Sequence, residues 1–450
     1  MEIKFKNIIV SRIIIIGILI VSCNLKAEDT LTWKDCIEYA LDHNMNLKKE
    51  EYSAEIQIYN YKNAWNNYVP SADFQSGYKV TYGRSVNDSN DVVFTTNYSN
   101  SYSLNSSVAL FQGFRRMNMV KFEKINLDIS KENYEVQKNR IMFDVLNEYT
   151  QLLYNEGLLE VSQQQFEVSK KEAYRTSRLK ELGRVAGADL LEARAKMAAD
   201  SFQLIQAQGQ LKLAALNLKE LMNYPIDKEI YVQEIGILKD VFSNGSTNPD
   251  EILGNALNHL PEIKRVELEL YASEKNLAIL KGNYYPSLGF GAGWGSGYSQ
   301  LNGDVLSTLT PSLDLIDRND NTSWGISLNV PLFNSFHTRN SIQRGKLRIK
   351  QAQLDYDIEL YKAKTDVYKL IAEFETSKSE FLAASRNVEQ QEKLFQTAVK
   401  RRESGLISLV EFNIINNQLS FSKAEYYRTL LQLFLKSKYI EFYMNGEILD

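Results

Sequence analysis

The chain carries one long unit twice. Ala40-Leu41-Asp42-His43 returns as Ala256-Leu257-Asn258-His259, and Tyr68-Val69-Pro70 returns as Tyr284-Tyr285-Pro286, both 216 residues further on. Leu110-Phe111-Gln112-Gly113-Phe114 returns as Leu332-Phe333-Asn334-Ser335-Phe336 at an offset of 222, and Gly183 and Gly405 keep that second offset. One insertion between the two sets of motifs accounts for the change, and everything outside it holds register. A supersecondary unit present in two copies points to a single pseudo-symmetric body rather than to a string of unrelated domains. The halves run over 30–222 and 248–444, joined by the polar, Pro- and Gly-containing stretch 223–247.

Each half contains two kinds of segment. The seven prolines (70, 225, 249, 261, 286, 311 and 331) all avoid 115–222 and 337–444, which are rich in Glu, Lys, Gln, Leu and Ala. That composition predicts helix. Val145, Leu152, Leu159, Phe166 and Ala173 lie seven residues apart, and Val367, Phe374, Phe381, Val388 and Phe395 repeat the spacing 222 residues later. A sustained seven-residue apolar repeat is the seam of a coiled coil or bundle. Gly183 and Gly405 interrupt the helical pattern, so each half carries a long helical hairpin, over 115–222 and 337–444. A helix over 115–181 would be roughly 100 Å long at ~1.5 Å per residue, which suits a rod or the wall of a tube. Shorter helices open each half behind the equivalent caps Thr32 and Asn248, the second with Pro249 at its first position.

Between the short helix and the hairpin the period changes to two. Phe74, Tyr78, Val80 and Tyr82 alternate with Asp73, Gln75, Lys79 and Thr81, and Tyr98, Tyr102, Leu104 and Val108 alternate with serines and Asn105. In the second half Leu288, Phe290, Ala292, Trp294 and Tyr298 alternate with glycines, and Trp324, Ile326, Leu328 and Val330 with Gly325, Ser327 and Asn329. The expected strands cover about 72–82, 98–110, 287–298 and 323–332. Each approaches the nine to eleven residues of a tilted membrane strand, with an aromatic and aliphatic face opposite a small or polar one. Four strands cannot close a barrel, and an open sheet edge cannot stay in lipid. The chain must therefore share its strands with further copies.

Residues 1–27 have the form of an export signal. Lys4, Lys6 and Arg12 precede the apolar run Ile13–Val21, which is too short to span a membrane and remain there. Ile20-Val21-Ser22-Cys23 resembles a lipobox, which would leave Cys23 as a lipidated N-terminus; Leu25-Lys26-Ala27 offers a cut that removes it. After that second cut only Cys36 is left, so no disulfide can form within the chain. The net charge of −4 falls to about −7 once a signal with four positive charges and one negative is gone. An acidic chain without a basic tract is a poor partner for nucleic acid. His43 and His259 are repeat equivalents at helix ends and read as structural. With three histidines, one mature cysteine and no phosphate loop, the sequence offers no catalytic constellation, metal site or cofactor site.

Short helix, two strands and a long hairpin, repeated behind an export signal, resembles the TolC-type outer-membrane efflux family. The residues that carry the resemblance are Trp33-Lys34-Asp35-Cys36-Ile37-Glu38-Tyr39-Ala40-Leu41, the Pro70 and Pro286 motifs, Val330-Pro331-Leu332-Phe333, and above all Gly405-Leu406-Ile407-Ser408-Leu409-Val410-Glu411-Phe412. It implies an α+β membrane protein that forms a homotrimer with a shared 12-stranded transmembrane β-barrel, continued by a periplasmic α-helical barrel. The location implied is the outer membrane of a Gram-negative bacterium, in contact with its lipid. The function implied is the exit duct of a tripartite efflux system or of type I protein secretion. Its partners would be a periplasmic adaptor and an inner-membrane pump of the RND, ABC or MFS class. A periplasmic coiled-coil adaptor or scaffold, the rival reading, would not need two spanning-length β-hairpins.

By the same resemblance the hairpin turns dock the adaptor, through Gly183, Arg184, Val185 and Ala186 in the first half and Gly405, Leu406, Ile407 and Ser408 in the second. The first turn departs from the Gly-Leu-Ile-Ser form by having Arg184 and an extra Gly187. Glu411 matches the position of an acidic ring that narrows the periplasmic end, with Asp189 as its repeat partner. Ile414 stands where a second carboxylate is usual. Glu411 and Asp189 also sit where an acidic side chain favours a helix N-terminus, and Ser408 with Glu411 spells a capping box.

Overall fold

The computed structural model describes residues 30–86, 90–235, 248–301, 319–446 and 448. The expected export signal, with Cys23, lies outside these residues, as do parts of the 223–247 connection and of the two loops between paired strands. In chain order the elements are α1 (Trp33–His43), α2 (Met45–Asn66), β1 (Ser71–Val86), β2 (Val92–Gln112), α3 (Arg115–Glu181), α4 (Gly187–Met222), α5 (Pro249–His259), α6 (Pro261–Lys281), β3 (Ser287–Leu301), β4 (Asn321–Asn329), α7 (His337–Glu403) and α8 (Leu409–Asn445). The order α-α-β-β-α-α occurs twice, so the architecture is an α+β duplication. No described helix is long and apolar enough to cross a membrane.

The compact units cut across the repeats. One gathers the described parts of Met1–Lys48, Gln137–His259 and Lys364–Asp450; the other holds Lys49–Val136 and Leu260–Ala363. Each unit thus takes matching pieces from both halves, as expected when repeats pack side by side.

In the first unit, local chemistry starts each short helix. Thr32 and Asp35 form a reciprocal capping box: the Thr32 N–H donates to Asp35 Oδ2 at 2.8 Å and the Asp35 N–H to Thr32 Oγ1 at 3.2 Å. A bond from the Thr32 hydroxyl to Asp35 Oδ2 at 2.6 Å, and after it the one from the Thr32 N–H, holds the Asp35 carboxyl below the ordinary aspartate range. Asn248 serves α5 by accepting from the Asp250 N–H at 3.1 Å. The apolar stripes behind the caps are equivalent in the two repeats: Ile37 and Ala40 of α1, like Ile252 and Ala256 of α5, are fully buried. His43 stacks on Tyr39, and His259 Nε2 lies 3.2 Å from the Phe442 carbonyl. Along α3 and α7 the seven-residue seam turns inward, with Val145, Leu152, Ala173, Val367 and Phe374 buried and its other members half-buried.

In the second unit the four strands form one antiparallel sheet in the order β1-β2-β3-β4. A bulge between Ala109 and Phe111 corrects the register of β2 on β3 at the end next to α3. β4 stops at Asn329, three residues earlier than the alternation suggests; Pro331 lacks the N–H needed to continue a ladder. The strands lead into α3 and α7 through paired left-handed residues, Gly113 and Phe114 (φ +59° and +63°) and their repeat equivalents Ser335 and Phe336 (φ +55° and +63°). At Gly113 a side chain is also excluded by space, since a Cβ would lie 2.4 Å from the Gly282 carbonyl oxygen.

Candidate functional site: two hairpin turns and a two-faced sheet

Both long helices end in the same hydrogen-bonded motif. At Gly183 the glycine N–H donates to the Lys180 carbonyl (2.9 Å) and the Arg184 N–H reaches back to the Leu179 carbonyl (2.9 Å). At Gly405 the glycine N–H donates to Arg402 (3.1 Å) and the Leu406 N–H to Arg401 (2.8 Å). These are Schellman closures, which need a left-handed residue; Gly183 and Gly405 have φ of +69° and +75°. Nothing lies within 4 Å of a Cβ built at either glycine, so the requirement is conformational and the surroundings are open.

Beyond the glycine the turns diverge. Leu406 is 70% exposed, whereas Ile407 is only 5% exposed. Ile407 is buried in a cluster with Ala398 and Phe412, against which Val168, Phe395, Val399 and Ile415 pack. Leu409 enters a second cluster with Ala173 and Ala193, where α3 and α4 meet, and with Met197. Thus Ile407 and Leu409 anchor the second turn and Leu406 projects from it. In the first turn Gly183, Arg184 and Ala186 are exposed and Val185 is half-buried. Of the expected contact residues, Ile407 is the one whose side chain is withdrawn from the surface.

The two returning helices use opposite halves of a capping box. Ser408 Oγ accepts from the Glu411 N–H at 3.0 Å, but the Glu411 carboxylate does not complete the box; it stands 3.7 Å from Arg401, with both side chains about half exposed. In the first repeat Ala186 has no capping side chain, and Asp189 Oδ2 instead accepts from the Ala186 N–H at 3.1 Å. Glu411 therefore keeps oxygen lone pairs for solvent, while Asp189 spends one on backbone. Ile414 is exposed one turn on, so a second carboxylate is absent from that face.

A polar fastening holds the second turn against α3. Arg402 Nε pairs with Glu172 Oε2 at 3.0 Å, with side chains only 16% and 14% exposed. Arg402 Nη1 also donates to the Ile407 carbonyl at 3.3 Å. Arg175 Nη2 donates to the Arg402 and Glu403 carbonyls at 2.9 and 3.0 Å, adding a second donor at Arg402 and supplying one to Glu403, an acceptor at the C-terminal end of the helix. Further along the hairpins Lys196 and Gln165 both donate to Asp200 Oδ1 and Asn417 Oδ1, joining α3, α4 and α8 in a polar junction in which Asp200 and Gln165 are buried and Asn417 is exposed. Sequence reasoning missed both groups. Glu172 with Arg175 and Lys196 with Asp200 look like ordinary surface pairs three or four residues apart on a helix.

The sheet segregates its side chains as the alternation demands. Across it run Phe74↔Leu104↔Trp294 and Val108↔Phe290↔Ile326 on one face. Gln75↔Ser103↔Gly295 and Asn105↔Gly293↔Ser323 run on the other. Hydrogen bonds join the polar face, as from Asn105 Nδ2 to Asp73 Oδ2 at 3.4 Å. In the single chain the apolar face is uncovered, with Phe74 and Ile326 each 64% exposed and Trp324 76%. Among the described residues, β1 and β4 each leave one edge without a strand partner. A soluble monomer would not tolerate this combination of an apolar face and two open edges.

A family model described as outer membrane efflux protein matches residues 36–224 and 252–433. The alkaline protease secretion protein AprF of Pseudomonas aeruginosa is 22% identical over 314 residues, covering 66% of this chain and 61% of AprF. The outer membrane efflux protein BepC of Brucella suis is 20% identical, covering 62% and 57%. The chain thus spans about three-fifths of the length of the curated relatives it matches. Among solved structures, the CmeC outer membrane channel of Campylobacter jejuni superposes with a TM-score of 0.75 at 14% identity, over 92% of this chain and 85% of that one. That likeness shows a shared fold.

Proposed function

This chain belongs to the outer membrane efflux protein family, and from that premise we propose that it is the exit duct of a tripartite efflux or secretion system. Three copies close a common barrel: β4 of one chain pairs with β1 of the next, antiparallel, until no edge is left in lipid. The apolar face then meets lipid and the Ser-, Asn- and Gly-rich face lines the bore. The helical hairpins reach into the periplasm, where their turns meet an adaptor bound to an inner-membrane pump. The duct itself is passive; energy comes from the pump, and no catalytic step is assigned to this chain. The observation that carries this reading is the two-faced, four-stranded sheet, both of whose edges are open among the described residues. The similarity to AprF favours polypeptide cargo, and the similarity to BepC favours efflux. If Cys23 is retained after processing, a lipid there adds a membrane anchor.

The test is assembly. Protein extracted in detergent should run as a trimer, and a stable monodisperse monomer from membranes would remove the shared barrel. Arg at Leu104 or Ile326 should cost roughly 2–4 kcal/mol if these side chains face lipid near the midplane, and Arg at Ser103 or Ser327 much less. Equal damage at both pairs of sites would contradict the facing.

A further inference from the structure

Among the described strand residues, the polar face of the sheet holds two charges. Following the register, the described side chains on that face come from Ser71 to Gly83 on β1 at every second residue and from Val93 to Ala109 on β2. β3 contributes Ser287 to Ser299 and β4 Asn321 to Asn329. Among these strand residues all are Ser, Thr, Asn, Gln, Gly or apolar except Asp73 and Lys79, both on β1 and both exposed. Arg84, the other charged residue of β1, falls on the opposite face, where its guanidinium lies 5.2 Å over the Phe94 ring. Asp73 lies three residues from the Pro70 that follows α2, whereas Lys79 lies further toward the loop that joins β1 to β2. Six residues of antiparallel strand span about 20 Å, and tilt in a barrel brings this to roughly 15 Å along the axis.

We propose that Asp73 and Lys79 make the bore bipolar, an acidic ring near the helical end and a basic ring nearer the loops, and that this pair sets which ions and charged cargo cross the barrel. The inference rests on the shared-barrel reading, which places three copies of each residue around one axis. Because the other described strand residues on this face are uncharged, the two rings dominate the field of the strand wall. Their charges cancel in sum but not in position. The consequence is weak overall ion preference with unequal current in the two directions. Cations concentrate at the Asp73 level and anions at the Lys79 level. The field reaches across the bore only where screening is weak, and the Debye length rises from about 10 Å at 0.1 M salt to about 30 Å at 0.01 M.

The experiment is the zero-current potential of the purified full-length channel in a planar bilayer under a KCl gradient at low ionic strength. Lys79→Gln should shift it toward cation preference and Asp73→Asn toward anion preference, and the charge swap Asp73→Lys with Lys79→Asp should reverse the direction of rectification. All three should match the parent in 1 M salt. Channels that conduct with unchanged potentials would overturn the bipolar bore while leaving the duct intact; assembled protein that never conducts would overturn both. A second readout needs no current. In a Cys36→Ser background reconstituted in liposomes, Asp73→Cys and Lys79→Cys should react with a water-soluble, membrane-impermeant thiol reagent, and Leu104→Cys should be shielded. Shielding at positions 73 and 79 would overturn the proposal.

Discussion

The turns at Gly183 and Gly405 begin with the same two hydrogen bonds and end as different objects. The second is anchored from below by Ile407 and Leu409 and from the side by Glu172, Arg175 and Arg402. The repeat-related positions around the first turn are Val185, Gly187, Lys180 and, from the second repeat, Leu394 and Thr397, of which Lys180 and Leu394 are exposed and Val185 is only half-buried. Duplication preserved the backbone closure, which a single glycine secures, while the supporting side chains were free to diverge. A turn held rigid with one leucine projecting is suited to specific contact, because little entropy is lost when it is bound. The first turn, presenting Arg184 over a small-residue stretch, lacks that preparation.

The largest effect is expected in transport. Replacing Leu406 by Asp, or Gly405 by a bulky residue, should abolish export in cells while trimer yield stays near that of the parent, since both surroundings are open and far in sequence from the strands. The matching changes at Arg184 and Gly183 should be weaker. Normal export by Leu406→Asp, measured together with crosslinking to the adaptor, would break the assignment of the second turn as the docking tip. Equal losses at both turns would erase the contrast between them.

Next in size are the supports. Ile407→Ala removes a buried side chain and should cost about 2–4 kcal/mol of local stability, against under about 1.5 kcal/mol for Val185→Ala. Arg402→Ala leaves a mostly buried Glu172 with only Arg175 for company at 3.5 Å and should cost on the order of 1–3 kcal/mol. Hydrogen exchange at the amides of 403–408 is the direct measurement. Protection unchanged in both variants would mean that the glycine closure alone holds the turn.

Much of this molecule is legible in its sequence. The duplication, the switch from a period of two to a period near seven, and the turn glycines are statements about backbone geometry, which short-range pattern encodes. The α+β fold class follows from them, and so does the two-faced sheet, since alternation permits no other disposition of Leu104 and Ser103. What remained hidden depends on three-dimensional neighbours. Glu172 and Arg175 lie 227 or more residues away from the groups they hold in the second turn, and no local signal marks them. Likewise Leu406, Ile407 and Ser408 read as one contact stretch, yet their exposures differ because the Schellman closure turns the middle residue inward. The way each compact unit draws on both repeats was also invisible, as the linear halves suggest a division along the chain.

Smaller effects come from the caps. Ser408→Ala should cost about 1 kcal/mol, the usual worth of an N-cap side chain. Asp189→Ala should cost a similar amount or slightly less, because its bond to the Ala186 N–H is the reciprocal half of the same motif. Introducing serine at Ala186 should then stabilise the first turn by completing its box, detectable as a rise in thermal midpoint. A fall in stability on Ala186→Ser would show that the first turn is held by something other than its cap.

The smallest expected effect separates the two carboxylates. Asp189 is committed to a backbone N–H, whereas Glu411 faces Arg401 at 3.7 Å in a half-exposed pair, and such pairs contribute little to stability. Threefold assembly would bring three copies of Glu411 toward one axis, where their negative potential draws cations and resists anions. Glu411→Gln keeps the side-chain volume and leaves the bond from the Glu411 backbone N–H to Ser408 intact, so folding and assembly should not change. The zero-current potential of the purified channel should move away from cation preference at low salt, and the shift should fade as screening increases. Asp189→Asn should leave that potential close to the parent. An unchanged potential in Glu411→Gln, with the trimer assembled, would reduce this glutamate to compensation of the helix dipole and put the two repeats on the same footing at this position.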